Sequence, residues 1–279
     1  MRGTRLWLAI AMIAGLFATA FVAGCGDDED DSSGGGGEGA DLGLIEDGTL
    51  IVASDIPFPP FEQGDPPDYE GFDIDLINAV AEEMDLDVEI QDQPFEVILA
   101  GAKGRFDLSI AATTIKPARE NRVDFSDPYF EASQSLLVAT DSDIASAEDI
   151  TADTIVGAED STTGETFAND ETDGDVRSFA SINEAFTALD NGQVDAVIND
   201  LPSSAAAVED SDGGLEIIEE FETEELYGIV IPEDSDPLVE AVNEALATVK
   251  EDGTLDELYQ EYFGTDAPDT VIDGTNEAT

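Results

Sequence analysis

Between Gly48 and Tyr262 the chain alternates short apolar runs with amphipathic stretches, and it does so twice. Leu50-Ile51-Val52-Ala53 has the look of a buried strand. Over Asp73 to Met84, residues Ile74, Ile77, Ala81 and Met84 recur at helical spacing, with Leu76 and Val80 beside them. A strand is expected at Val88 to Ile90, a helix over Glu96 to Lys103 and a strand at Asp107 to Ala111. The order restarts with a strand at Thr154 to Ala158, a helix opening at Gly164, a helix over Ile182 to Asp190 and a strand at Asp195 to Ile198. Helices over Pro237 to Glu251 and Asp256 to Tyr262 close the pattern, and residues 266–279 read as a frayed acidic tail. Strands alternating with amphipathic helices build parallel sheets from βαβ units. The fold class is therefore α/β, and two successive runs imply two lobes. Open α/β sheets bind ligands outside the carboxyl ends of their strands, which points to the loops after Ala53, Ala111, Ala158 and Ile198.

Composition narrows the function. Hydrophobic residues make up 42%, enough for a core and too many for a chain disordered throughout. Against 67 Asp and Glu stand only 9 Lys and Arg, with no histidine and a formal charge of −58. Nucleic acid is excluded as a partner, because phosphate needs a basic footprint. Without histidine there are no histidine-based triads and no His-ligated zinc, and a single cysteine leaves neither an internal disulfide nor a CxxC metal site. The acidic excess reads as a solvated coat of the kind that keeps proteins soluble in concentrated salt, a salt-adapted, haloarchaeal-type surface.

The N-terminus has the order of a targeting segment. Arg2 and Arg5 precede an uncharged, mostly apolar run from Leu6 to Ala23, and Val22-Ala23-Gly24-Cys25 follows. Small residues before a cleavage point fit a signal peptide over 1–24, and the cysteine makes the end resemble a lipobox, with Cys25 as the lipidated residue. An uncleaved anchor is the alternative, since this run could just span a bilayer. Gly3 and Thr4 separate Arg2 from Arg5, so no twin-arginine pair decides between the Sec and Tat export routes. Residues 25–45, with Asp27 to Asp31 and Gly34 to Gly37, read as an acidic, flexible tether. The expectation is a domain on the extracellular side of the cytoplasmic membrane, held by lipid.

Five ordered motifs then carry a family resemblance. Gly71-Phe72-Asp73-Ile74-Asp75-Leu76, Ala112-Thr113-Thr114-Ile115-Lys116-Pro117-Ala118-Arg119 and Val123-Asp124-Phe125-Ser126-Asp127-Pro128-Tyr129 are followed by Ser161-Thr162-Thr163-Gly164-Glu165 and Gly192-Gln193-Val194-Asp195-Ala196. From about Gly48 to Gly264 the chain resembles the family 3 extracellular solute-binding proteins, the polar amino-acid receptors of ABC importers. The resemblance implies a two-lobed, type II periplasmic-binding-protein-like fold with two hinge strands. Lobe 1 would take 46–133 plus 228–265, and lobe 2 would take 134–227. It also implies a monomer without cofactor or metal that closes on a free polar amino acid and hands it to ABC permease subunits.

The chemistry of an α-amino acid suits the same residues. Arg119 can grip a carboxylate bidentately, as lysine cannot. Thr114 would add a backbone N–H and a hydroxyl, and Ala112 a carbonyl for the ammonium. Thr162 and Thr163 precede a helix whose N-terminal N–H groups suit an anion. Asp200, after the Val197-Ile198 run, suits the ammonium. By the resemblance Phe58 and Phe95 wall the side chain. Asp55 matches a position that meets amide or cationic side chains, and it argues against an acidic ligand. Each residue also has an ordinary reading, as a surface ion pair, a turn, an N-cap or one acid among 67. Two other functions fit the fold: a cyclohexadienyl dehydratase-like enzyme, which needs a carboxyl of raised pKa, and a ligand-sensing module. Asp55 and Phe58 leave glutamine, histidine and arginine all open.

Overall fold

The computed structural model describes residues 41–276. The expected leader, Cys25 and the tether as far as residue 40 lie outside the described residues. In chain order the elements begin with β1 (Thr49–Ser54), the ribbon strands β2 (Gln63–Asp65) and β3 (Asp68–Glu70), α1 (Phe72–Glu83) and β4 (Asp87–Asp92). Then come α2 (Phe95–Leu99), β5 (Leu108–Ser109), β6 (Val123–Phe125) and β7 (Phe130–Ala139). A second run holds β8 (Ile155–Glu159), α3 (Thr163–Glu171), β9 (Asp175–Phe179), α4 (Ile182–Asp190), β10 (Ala196–Asp200), α5 (Leu201–Asp210) and β11 (Leu215–Tyr227). Last are β12 (Val230–Pro232), α6 (Asp236–Glu251), α7 (Thr254–Tyr262) and α8 (Asp269–Ile272).

Two five-stranded sheets organise these elements. The first has the order β4-β1-β5-β12-β6, with β1 parallel to β4 and β5, and β12 antiparallel to β5 and β6. The second has the order β11-β7-β10-β8-β9, with β8 parallel to β9 and β10, and β7 antiparallel to β10 and β11. Strands β7 and β11 run from one core to the other. Phe130, Ala132 and Tyr227 pack with the apolar faces of α1, α6 and α7, while Leu137 and Leu215 pack with α4 under the second sheet.

The helices follow from their apolar faces. Helix α1 buries Phe72, Ile74, Leu76, Ile77, Val80 and Ala81. It starts at Gly71, whose φ is 128° and where a Cβ would lie 2.2 Å from the Phe61 carbonyl oxygen, so only glycine fits the approach. Two expectations fail. The helix predicted over Glu96 to Lys103 stops at Leu99, because the chain turns at Gly101 in the left-handed region, φ 54°, tight against Val123. Residues 266–276 are not a frayed tail: α8 places Val271 fully buried in the core around α1, and the Asn276 N–H donates to Asp127 Oδ1 at 2.7 Å. Two adjacent apolar residues, Val271 and Ile272, are too short a run for any periodicity test.

Candidate ligand cleft

The loops at the carboxyl ends of the strands converge. From the first sheet come Asp55 and Phe58 after β1, Phe95 at the start of α2, Ala112 and Thr114 after β5, and then Arg119. From the second come Thr162 and Thr163 at the start of α3 and Asp200 at the end of β10. All nine expected site residues line one cavity of about 490 Å³, part of it open to solvent. The two halves touch across it. Asn183 Nδ2 donates to the Pro57 carbonyl at 2.7 Å, Arg119 Nη2 donates to the Ser161 carbonyl at 3.2 Å, and Phe58 packs against both cores. The cleft is closed.

Local structure fixes the loops. Asp73, fully buried, accepts the Ala112 N–H and the Tyr129 hydroxyl with Oδ2, both at 2.8 Å, and so pins the loop after β5. That is the physical content of the Gly-Phe-Asp motif. Burial pushes the Asp73 carboxyl up to about 7, against the pull of those two donors. At α3 the Thr162 hydroxyl accepts the Glu165 N–H at 3.1 Å and donates to the Glu159 carbonyl at 2.7 Å. Its hydroxyl therefore caps the helix, and the first turn of α3 still carries backbone N–H groups that no helical carbonyl can reach.

One end of the cavity carries opposite charges. Arg119 Nη1 donates to the Thr114 carbonyl at 2.8 Å, and its Cζ lies 5.4 Å from the centre of the Phe95 ring. Burial lowers its pKa, while Glu225 and Asp200 oppose the fall, and it stays a cation. Asp200 accepts from Gln134 Nε2 and from the Tyr227 hydroxyl. Burial, reinforced by Glu225, raises its carboxyl to about 7, although Tyr227, Gln134 and Arg119 pull the other way. Glu225 ties this end together, accepting Thr114 Oγ1 at 2.7 Å and Gln134 Nε2 at 3.1 Å. The Thr114 hydroxyl proton, expected to face a ligand, is thus committed to Glu225.

The other end is acidic throughout. Asp55 Oδ2 accepts the Phe95 N–H at 2.9 Å, and Glu159 Oε2 accepts the Ile182 N–H at 3.0 Å. The two carboxyls come from opposite sheets and line the same cavity. Burial first, then Asp92, raises Asp55 to about 6, against the pull of the Phe95 N–H. Burial first, then the charge of Asp55, raises Glu159 to about 8, against the Ile182 N–H. Glu62, at 1% exposure, lines the same cavity, and burial with Asp73 beside it pushes its carboxyl well up.

Sequence reasoning missed Glu62, Glu159 and Asn199 in the lining, and Gln134 and Glu225 behind it. For Glu159 a signal existed, since it ends a strand two residues before the Ser161-Thr162-Thr163 turn. Gln134 and Glu225 sit within strands, where nothing in the residue order marks them.

Two sheets, two crossing strands and a closed, charged cleft define a two-lobed binding protein. Residues 50–265 match the family described as bacterial extracellular solute-binding proteins, family 3, and the chain belongs to that family. It is 32% identical over 268 residues to the ABC transporter glutamine-binding protein GlnH of Bacillus subtilis (strain 168), covering 92% of this chain and 97% of that one. An ancestral arginine-binding protein bound to arginine superimposes with a TM-score of 0.72 at 38% identity, over 78% of this chain and 99% of the other. A structure of an ancestral arginine-binding protein bound to glutamine gives the same score and identity, over 78% and 98%. The fold is the type II periplasmic-binding-protein fold.

Proposed function

We propose that this protein is the extracytoplasmic receptor of an ABC importer, closing its two lobes on a free polar amino acid and delivering it to the permease. The observation that carries the reading is the placement of Arg119 and Asp200 in one cavity, beside the N-terminus of α3. A zwitterion needs a donor cluster next to an acceptor cluster, and charge-assisted bonds replace the water that closure removes. The three relatives above agree on an amino acid but not on its side-chain charge, since their ligands are arginine and glutamine. The division into 46–133 plus 228–265 and 134–227, with β7 and β11 as hinge, supports closure by rigid lobes. Lipidation at Cys25, export ahead of it and a monomeric state belong to the same proposal.

A thermal-shift screen of the twenty amino acids in molar KCl tests it. A ligand at about a hundred times its Kd adds about 2.7 kcal/mol to the folded state, which raises Tm clearly. If no amino acid shifts Tm, the reading fails. A second reading, the dehydratase-like enzyme, has one observation in its favour: Glu159 lines the cleft, where burial raises its carboxyl toward the range a general acid needs. Incubation with prephenate separates them, because turnover supports the enzyme and binding of amino acids alone supports the receptor.

A further inference from the structure

The two strands that cross between the sheets are not uniform along their length. Strand β7 leaves the first core at Ala132 and enters the second at Leu136. Opposite that step β11 is irregular. Ala132 pairs with Glu225 and Gln134 pairs with Phe221, which leaves residues 222–224 facing Ser133 alone, with Glu224 in the left-handed region at φ 51°. An irregularity of this kind interrupts the ladder and lets the ribbon bend at one place. The step at Ser133 is therefore the bending point between the lobes, and β7 up to Ala132 moves with the first lobe.

Residues 266–276 lie beyond the stretch matched to the family, and they grip the root of that strand. Val271 is fully buried in the core around α1. The Thr270 hydroxyl donates to Glu131 on β7, the neighbour of Ala132. The Asn276 N–H donates to Asp127 Oδ1 at 2.7 Å, and Asp127 donates its own N–H to Asn243 Oδ1 of α6 at 2.8 Å. At Gly274 a Cβ would lie 2.7 Å from Pro128 Cγ, so the segment lies flat on the loop that leads into β7. Its start is tied to α7, where Asp266 Oδ1 accepts Gln260 Nε2 at 2.7 Å and the Ala267 N–H donates to Asp256 Oδ1 at 3.0 Å. The segment thus fastens Asp127, Pro128 and Glu131 to the helices of the first lobe.

We propose that residues 266–276 are a hinge clamp: they hold the root of β7 in the first lobe, confine bending to the step at Ser133, and so favour closure of the cleft on an amino acid. The effect on affinity rests on the receptor reading above, whereas the grip on β7 does not. With the clamp in place the open and closed forms differ by rotation about one step. Without it, the chain from Asp127 to Ala132 gains backbone freedom. The closed form is also held by the Asn183–Pro57 and Arg119–Ser161 bonds across the cleft, and opening breaks both. Freedom at the root therefore adds states mainly to the open form, and binding must remove them again.

Hydrogen exchange read by mass spectrometry and calorimetry with glutamine and arginine, both on the full chain in molar KCl, decide it. Val271→Ala loosens the clamp. Val80→Ala takes the same two methyls from the same core, two helical turns beyond the Phe72 ring that packs on Tyr129, and leaves the clamp intact. Both variants should lower Tm. Only Val271→Ala should speed exchange of the amides from Asp127 to Ser135 in the ligand-free protein, by about tenfold or more, and weaken the tighter of the two amino acids by about threefold or more. Gly274→Ala, which lifts the segment from Pro128 without opening a core cavity, should do the same, and it carries the test if Val271→Ala does not fold. Unchanged exchange over Asp127 to Ser135 in the folded clamp variants, or an equal rise in Val80→Ala, overturns the clamp. Faster exchange with wild-type affinity overturns its part in closure and leaves the receptor reading standing. If the wild type binds no amino acid in the screen above, the receptor reading falls and exchange alone judges the clamp.

Discussion

Arg119 already has two of its donors engaged, on the Thr114 and Ser161 carbonyls, and its flat face lies over Phe95. Lysine can satisfy at most part of that arrangement while also meeting a carboxylate. Arg119→Lys is therefore expected to cost about 2–5 kcal/mol of amino-acid binding, thirty-fold or more in Kd, as read by calorimetry in molar KCl. An exposed ion pair would lose only about 0–1 kcal/mol, and an unchanged Kd in a folded variant would remove Arg119 from the site. Asp200→Asn should weaken binding by a similar amount. It also turns an amide N–H2 toward Gln134 Nε2 or the Tyr227 hydroxyl, both donors, which should cost about 1–3 kcal/mol of stability in urea unfolding. These two residues were legible in the sequence because each has a rare context, one of few cations and an acid directly after an apolar run. Glu62 was not, because an acid in a chain of 67 acids with no strand end or turn to single it out is marked only by what it touches after folding.

Elements show the same division. Helix α1 was readable from its apolar spacing, and its start was marked by Gly71. A methyl group there would collide with the Phe61 carbonyl at a φ closed to other residues, so Gly71→Ala should cost about 3 kcal/mol or more in urea unfolding. Ser161 is the opposite case. Its φ is 66°, which glycine adopts freely, and what it gives Arg119 is its backbone carbonyl. Ser161→Gly should leave stability within about 1 kcal/mol and binding unchanged, since relief of the left-handed strain offsets the added chain entropy. A large loss of affinity would mean that the serine side chain itself matters. Strands β7 and β11 were not read from the sequence. Leu-Glu-Ile-Ile-Glu-Glu-Phe-Glu-Thr-Glu-Glu-Leu-Tyr breaks strict alternation because β11 changes register twice, after Ile217 and after Phe221, as it passes from one core to the other. A period of two does not survive such shifts.

At the scale of the molecule, charge sets the conditions for folding. Asp55, Asp73, Asp200 and Glu159 all bind a proton more tightly in the folded chain than in the unfolded one, with values of about 6, 7, 7 and 8 against ordinary carboxyl values near 4. Their contribution to stability is complete below about pH 4 and is lost as pH climbs through 6 to 8. The Tm of the protein without ligand should therefore fall by roughly 5 °C or more between pH 5 and pH 8, in molar KCl so that surface charge is screened. A flat or rising profile would show that these carboxyls are not held protonated. The formal charge of −58 adds a separate demand. Its self-repulsion is short-ranged at 1 M salt, where the Debye length is about 3 Å, and reaches about 30 Å at 0.01 M. Circular dichroism during dialysis should show the cooperative fold lost at low salt, and a native spectrum kept at ~10 mM would end the salt-adapted reading.

The sequence by itself determined the α/β class, the order of most elements, the family motifs and the two charged poles, because periodicity, residue type and motif spacing are local properties that act before any long-range contact exists. Only the tertiary structure decided that Asp55 and Glu159 line one cavity, that Glu225 ties Thr114 to Gln134 beside Asp200, and that Val271 closes a core rather than hanging in a tail. Those facts depend on burial and on partners far apart along the chain. Removing water is what makes one carboxyl among many hold a proton, and no local pattern records which carboxyl will lose its water.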